Sequence, residues 1–414
     1  MNDARLHGRR PHPLRRPAFA RLWGAGFFAE IGQWAIMLAL PLYVLQLTGS
    51  AFITSTVALL GLLPSLICAP LAGAFADRWN PVLLLVLLSA GQGLVLPALL
   101  FVDDTGDLWI VYLVSAAESG LAAMFEAARN SALPLLVAEE QLIAANAAVG
   151  LNANLGRLMG SPLGGVVLGL GGLHGVVALG GVAFVVAAGL VATIPRHRAP
   201  APHPDVPPAL WRGFGTALSS IWRIRELRAS MLSEGLLAIA QGMFVVLFLL
   251  FITQLLGKGE TEAGLLRGVQ AIGGLIGGVT AGVLARRLGP ERLFALSLLA
   301  FGVVSAVTWN ASSFATAFAV YIALFVIVGV PGVYAHAGWL SIIQQAAPAP
   351  IRGRVLGAIL GLSDGLQALG MLIAGVLAGT LSTLTLLNAQ AGLYVVAAVA
   401  AWALLVSRRS AAGR

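Results

Sequence analysis

Long apolar stretches are the feature of this sequence that most restricts its fold. Residues 82–100, for example, contain no charged side chain. A helix needs about 20 apolar residues to cross the hydrocarbon core of a bilayer. A transmembrane β-barrel would instead show segments of about ten residues with alternating hydrophobicity, which these continuous runs do not resemble. We therefore predict an all-α membrane protein with twelve transmembrane helices, near residues 20–46, 52–76, 82–101, 108–129, 143–169, 174–195, 230–256, 263–286, 291–310, 315–344, 354–380 and 386–406.

Charged residues are too scarce to cover the surface of a soluble protein of this length. Asp, Glu, Lys and Arg make up 10% of the 414 residues, whereas they form about 25% of an ordinary soluble domain. This composition excludes a soluble globular enzyme and a disordered chain. The single cysteine, Cys68, leaves neither an intramolecular disulfide nor a cysteine metal site.

The basic residues are distributed unevenly between the two ends of the predicted helices. If the N-terminus is cytoplasmic, 22 of the 25 Lys and Arg residues lie in inner segments, and Arg157, Lys258 and Arg267 are the exceptions. The positive-inside rule then predicts a protein of the inner (plasma) membrane with both termini in the cytoplasm. Topology also accounts for the net charge of +8, so we expect no nucleic-acid partner.

A proline-rich polar segment at residues 196–213 divides the predicted helices into two sets of six. This composition is typical of an extended, solvated linker. Apolar side chains at helical spacing follow it, from Phe214 to Trp222, and predict a short amphipathic helix on the inner membrane surface. We therefore divide the chain into an N-terminal six-helix half (residues 1–195), a cytoplasmic linker with an amphipathic helix (196–228) and a C-terminal six-helix half (229–414).

The two halves share a motif at equivalent positions. Residues 73–81 and 282–290 carry Gly, Ala, Arg and Pro at the same spacing, each between the second and third helix of its half. Two six-helix repeats around a central cavity are the architecture of many secondary transporters. The second copy has Arg286 where the first has Asp77.

Several motifs indicate a family. Gly73-x-x-x-Asp77-Arg78 is similar to the loop signature of the major facilitator superfamily, which the chain resembles over essentially its whole length. Within it, the chain looks like the bacterial drug-efflux branch that contains macrolide exporters and the enterobactin exporter. The stretches that carry this closer match are Ala39–Val44 with Thr48–Ser50, Ala128–Pro134, Ala145–Ala147 and Arg352–Val355.

The resemblance implies a function. It implies secondary active export of a hydrophobic or amphiphilic small molecule, such as a drug, antibiotic or siderophore, by alternating access and proton antiport. A lysolipid carrier on the same fold is the alternative. A membrane-embedded enzyme or receptor would need a converging catalytic set, which the sequence does not show. The expected partners are the substrate, protons and membrane lipids, and a monomer is expected.

The loop signature implies a cytoplasmic gate. By the resemblance, Asp77 locks the two halves at the N-terminal end of the eleventh helix while the cavity opens outward, with Arg129 as the assisting cation. Gly73 permits a close helix approach, and Arg78 completes the motif. The alternative is that Asp77 and Arg78 only cap helices and follow the positive-inside rule.

Polar and ionisable side chains within the predicted helices are candidates for proton coupling or the substrate cavity. A charge at the bilayer centre costs at least about 2.5–3.5 kcal/mol, so it usually has a partner or faces water. The resemblance implies that the first, fourth, seventh and tenth helices line the cavity. The candidates are Glu30, Gln33, Glu118, Arg157, Gln241, His336 and Asp364.

Glu30 and Glu118 are the leading candidates for the group that binds and releases a proton. The alternative is that one of them pairs with Arg157, which needs an anion. Asp364 lies in a helix that is usually a support helix of the superfamily, and His336 has a packing role as its alternative.

A glycine-rich motif in the fifth predicted helix favours export. Glycines four residues apart form a smooth stripe for close helix packing. The stretch also looks like the antiporter signature of superfamily exporters, although its proline stands one place late. A simple packing stripe is the alternative. The motif comprises Gly156, Gly160, Pro162, Gly164 and Gly165.

Other chemistries lack sequence support. The only lysine, Lys258, is not part of a phosphate-binding loop, and no metalloprotease, serine-hydrolase or cysteine-cluster motif is present. We expect no enzyme activity, no metal and no cofactor, with a proton gradient as the energy source.

Overall fold

The computed structural model describes residues 13–65, 68, 80–195, 210–315 and 317–407. All regular secondary structure in these ranges is helical. The α-helices, numbered in chain order, are α1 (Pro17–Thr48), α2 (Ala51–Leu60), α3 (Pro81–Val95), α4 (Leu108–Leu136), α5 (Leu142–Ala192), α6 (Leu210–Arg223), α7 (Arg225–Leu250), α8 (Glu260–Leu288), α9 (Pro290–Asn310), α10 (Phe318–Ala346), α11 (Arg352–Leu377) and α12 (Thr383–Ala401).

Local sequence explains several helix ends. Asn80 begins α3, because its side-chain oxygen accepts hydrogen bonds from the backbone N–H groups of the first turn. Gly49 ends α1 with φ 64°, a left-handed conformation that glycine adopts without strain. Gly172 has φ 58° and ψ −155° and breaks α5 into two segments. The chain can therefore turn within a stretch of 51 helical residues.

Membrane-crossing helices dominate the described ranges. Ten helical segments there are long and apolar enough to cross a bilayer. The longest, Glu139–Ala192, contains the break at Gly172, and a shorter apolar helix covers Ala51–Ser65. The prediction of an all-α, multi-pass membrane protein is confirmed, and the count of twelve crossings stays a prediction.

Helix packing has a similar plan in the first part of the molecule (α1–α5, before the linker) and in the second part (α6–α12, after it). The first segment of α5 packs along α1, while α3 packs against α4 and α5. In the second part, α7 packs against α11 and α12, and α10 packs against α8 and α9. Between the two parts, α5 packs on α8 and α2 packs on α11. These last two pairs hold the parts together.

Several contacts across that interface lie near one end of the bundle. We call it the Gly49 end, because it carries the turn from α1 to α2 at Gly49 and the turn from α7 to α8. The side-chain amide of Gln46 donates to the carboxylate of Glu260 there. A Cβ atom on Gly375 of α11 would lie 2.7 Å from Cβ of Ser55 on α2. Small residues therefore let the two parts touch at this end.

The amphipathic helix predicted after the linker is present as α6. It packs against α7 and α11, with Ile221 fully buried and Trp222 exposed. Residues 196–209, which hold most of the proline-rich segment, lie outside the described residues. Helix α6 is thus attached to the second part of the molecule.

Candidate functional site

A cavity of about 100 Å³ lies between the two parts of the molecule. Its wall is mostly apolar, with a few polar side chains from both sides. Gln33, Ser115, Glu118 and Ser119 come from α1 and α4, and Gln367 comes from α11. Mostly apolar walls with few polar groups are typical of small-molecule sites.

Glu118 is the carboxylate that the structure places on this cavity. Its residue is 7% exposed. One carboxylate oxygen accepts a hydrogen bond of 3.2 Å from Nε2 of Gln92 on α3, and the other has no partner among the described residues. A buried carboxyl group with so few donors can exchange a proton without breaking an ion pair.

Glu30 and Arg129 form an ion pair between α1 and α4. Oε1 of Glu30 lies 3.7 Å from Nη1 of Arg129, and Glu126 contacts the same guanidinium at 2.5 Å. Gly26 gives this guanidinium room, since a Cβ atom there would lie 3.2 Å from Nη1. The pair lies within the N-terminal part and links its cavity-side helices.

The expectation that Glu30 or Glu118 neutralises Arg157 is wrong. Arg157 lies over the ring of Trp34, with its guanidinium carbon 5.7 Å from the ring centroid. Its Nη2 donates to the side-chain oxygen of Asn154 at 3.3 Å, and its Nε is buried with no hydrogen-bond partner in the part of the chain that the structure describes. The reason for the difference is geometric: Arg129 lies nearer to Glu30, and Glu118 points to Gln92.

Arg267 is a site residue that sequence reasoning passed over. It lies in α8, where Nη1 donates to Gln270 at 3.0 Å and the guanidinium lies 4.8 Å from the ring centroid of Phe244. It also lines a second cavity of about 30 Å³. The signal available in the sequence was a cation inside the apolar stretch 263–286 without an acidic residue one turn away.

The remaining predicted residues lie apart from these groups. Gln241 is partly buried on α7, and Asp364 is partly buried on α11. His336 is exposed on α10, with its ring centroid 5.5 Å from that of Trp339. Gly73, Asp77 and Arg78 lie outside the described residues. Of the gate motif, only Arg129 can therefore be placed.

The glycine motif of α5 serves two packing faces. Gly156, Gly160 and Gly164 lie against α1, and a Cβ atom on Gly164 would lie 2.7 Å from Cα of Ala35. Gly165 and Pro162 lie against α8, where Gly264 approaches both. The motif therefore joins α5 to a helix of its own part and to a helix of the other part.

The sequence matches a family described as transmembrane secretion effector, over residues 11–412. The chain belongs to this family of major facilitator transporters.

Among the described residues, no group of three or more His, Cys, Asp and Glu side chains could hold a metal ion.

Several relatives of the chain are named as exporters. The multidrug efflux pump Tap of Mycolicibacterium fortuitum is 28% identical, with 86% of this chain and 87% of that protein covered. The enterobactin exporter EntS of Citrobacter koseri is 26% identical, with 69% of each covered. The macrolide efflux protein A of Streptococcus pyogenes is 32% identical over 127 residues, about 30% of each chain. The resemblance to the drug-efflux branch is thus confirmed.

Solved structures share the fold at low sequence identity. A bacterial homologue of the iron transporter ferroportin, in an inward-facing state, has a TM-score of 0.74 at 18% identity, with 94% of this chain and 98% of that one covered. The nucleoside transporter NupG (D323A mutant) has a TM-score of 0.77 at 15% identity, with 94% and 100% covered. The family and the named relatives are transporters, which supports the interpretation that the chain is not an enzyme.

Proposed function

We propose that this transporter is a secondary active exporter of a hydrophobic or amphiphilic small molecule, driven by proton antiport. The observation that carries the proposal is Glu118, a buried carboxylate on the wall of an apolar cavity between the two parts. The names of the relatives support the export direction, since they include a multidrug pump, a siderophore exporter and a macrolide efflux protein.

The topology belongs to the same proposal. Twelve crossings result if the break at Gly172 separates two of them and α2 continues into a full span. The halves are then residues 1–195 and 229–414, joined by the linker 196–228, in a monomer of the inner membrane. The positive-inside rule places both termini in the cytoplasm and the Gly49 end on the opposite face.

The contacts between the two parts at the Gly49 end support alternating access. In the proposed cycle these contacts close that face while the cavity exchanges with the cytoplasmic face. Outward opening requires α5–α8 and α2–α11 to separate at the Gly49 end, and Asp77 with Arg129 to close the other end. The proton enters on Glu118 from outside and leaves inside, and the substrate travels in the opposite direction.

Glu30 is the second candidate for the proton carrier. Its ion pair with Arg129 would have to open for protonation, whereas Glu118 has no such pair among the described residues. This difference makes Glu118 the first choice. Gln33 lines the cavity beside Glu118 and contributes to substrate contact.

Transport in proteoliposomes tests the proposal. With an imposed pH gradient, wild type should move chloramphenicol, an uncharged amphiphilic drug, against its gradient, and E118Q should lose at least about tenfold of the gradient-driven rate, because glutamine cannot exchange a proton. Glu139 is an exposed acid outside the cavity, so E139Q is the matched control and should transport normally. Normal gradient-driven transport by E118Q would rule out Glu118, and E30Q then tests the second candidate. Movement of lysolipid without any drug would contradict the proposed substrate class.

A further inference from the structure

Two arginines lie at the interface between the two parts, and neither has a carboxylate partner among the described residues. The ion pairs among the described residues involve Arg129 with Glu30 and Glu126, and neither Arg157 nor Arg267 takes part in one. Arg157 comes from α5 of the first part and Arg267 from α8 of the second. An unpaired charge in a membrane-spanning region is costly and marks a functional site by default.

The two guanidinium groups lie on neighbouring parts of one surface. A Cβ atom on Gly274 of α8 would lie 3.1 Å from Nη2 of Arg157, so Arg157 reaches from α5 onto α8. Gly274 is seven residues, about two turns, beyond Arg267, which puts both on one face of α8 about 10 Å apart along the axis. Each part of the molecule thus contributes one cation to this surface.

An aromatic ring lies against each guanidinium. The ring of Trp34 lies near Arg157 and the ring of Phe244 near Arg267. A cation–π contact uses no N–H donor, so the donors that do not already bind Asn154 or Gln270 can bind an anion. Arg267 and Trp34 both line the cavity of about 30 Å³, together with Phe244 and Ser161.

Ser161 adds a donor to the same surface. It lies one helical turn after Arg157 on α5, so the two side chains share a face. Its hydroxyl is fully buried and has no hydrogen-bond partner among the described residues, like Nε of Arg157. Buried polar groups normally have partners, so these donors are available to a ligand that enters the cavity.

We infer that Ser161 and Arg267, which line the small cavity, bind an anionic group, such as a carboxylate or sulfonate, of an aromatic substrate, and that Arg157, whose guanidinium lies farther along α8 beside Gly274, adds to the positive charge there. This inference rests on the proposed function, because it takes the bound ligand to be the transported substrate. The small cavity shares Met37, Pro41 and Val245 with the cavity of about 100 Å³. The anionic group of the substrate occupies the cavity of about 30 Å³, and its apolar body occupies the cavity of about 100 Å³. Glu118 lines only the larger cavity, so anion and proton occupy separate places and are coupled through the shared conformational change.

Equilibrium binding to the full chain in nanodiscs of neutral lipid tests the inference. The probes are 1-naphthoate and its uncharged isostere 1-naphthamide, titrated calorimetrically without a pH gradient. Hydrogen bonds to charged groups are strong enough that naphthoate should bind at least about tenfold more tightly. R267Q should weaken naphthoate binding at least about tenfold, R157Q should weaken it by a smaller factor, and both should change naphthamide binding less than about twofold.

The controls separate charge from folding. R292Q removes an exposed arginine at the start of α9 and should leave both affinities unchanged. R157K and R267K keep the charge without the planar fork and should retain part of the naphthoate preference. If a glutamine variant does not fold, the lysine variants and the comparison of naphthoate with naphthamide in the wild type still test whether the arginines bind the anionic group.

Two results would overturn the inference. One is equal affinity of the wild type for naphthoate and naphthamide, and the other is a naphthoate preference that survives undiminished in R157Q and R267Q. Because no gradient is used, a failure of proton antiport would leave the binding result standing. Conversely, normal drug export without a naphthoate preference would refute this inference alone.

Discussion

At the scale of single residues, the membrane makes every buried charge informative, and the structure treats these charges in three different ways. Glu30 and Arg129 neutralise each other, Glu118 relies on an amide, and Arg157 and Arg267 rely on aromatic rings. Of these five residues, Glu30, Glu118 and Arg157 were predicted as site residues from the sequence, because they interrupt apolar helices near their middles. It gave the wrong partner for Arg157, because pairing depends on how neighbouring helices are rotated.

The Glu30–Arg129 pair should support stability as well as the proposed gate. Removing one member of a buried pair costs about 3–5 kcal/mol, since the other charge stays buried. Arg129 is 5% exposed, so we expect R129Q to lower the melting temperature in detergent by several degrees.

The double variant E30Q/R129Q removes both charges and should recover part of that loss. R292Q serves as the control for losing a surface arginine. A melting temperature of R129Q equal to that of wild type would show that the pair contributes nothing to the fold.

At the scale of helices, α5 is the element on which most of the interface depends. Its glycine stripe lies against α1, and its neighbouring face lies against α8. The stripe was readable from the sequence, because glycines four residues apart fall on one helix face. The second face was not, because nothing local in α5 specifies that Gly264 of a distant helix approaches Pro162.

Gly164 and Gly150 provide a matched comparison within α5. A Cβ atom on Gly164 would meet the backbone of Ala35, whereas one on Gly150 would meet nothing within 4 Å. We expect G164A to cost about 1–3 kcal/mol through overpacking, and G150A to be neutral or stabilising by about 0.5–1 kcal/mol, since alanine favours a helix. Thermal unfolding of both variants in detergent measures this; equal melting temperatures would contradict the close approach of α1 and α5.

At the scale of the whole molecule, the two parts meet through small residues at the Gly49 end. Fixing this end should stop the transport cycle if the two faces open alternately. Ser55 on α2 and Gly375 on α11 are the pair to use, because a Cβ atom on Gly375 lies 2.7 Å from that of Ser55. A small shift brings cysteines there to the separation of about 3.5–4.5 Å that a disulfide requires.

The variant S55C/G375C, made with Cys68 replaced by alanine, should form a disulfide under oxidation and lose drug transport. A reductant should restore the rate, and S55C alone should be insensitive to both treatments. Full transport by the oxidised, cross-linked protein would argue against opening at the Gly49 end.

The sequence by itself determined that this chain is a multi-pass helical membrane protein of the major facilitator superfamily. Those conclusions depend on hydropathy and on short motifs, which are local properties of the chain. Tertiary structure alone decided that Glu118 faces the cavity, that Glu30 pairs with Arg129, and that Arg157 and Arg267 form no ion pair with any carboxylate in the described ranges. The physical reason is that all helices satisfy the bilayer in the same way, while their rotation and contacts are set by side-chain packing between segments far apart in the chain.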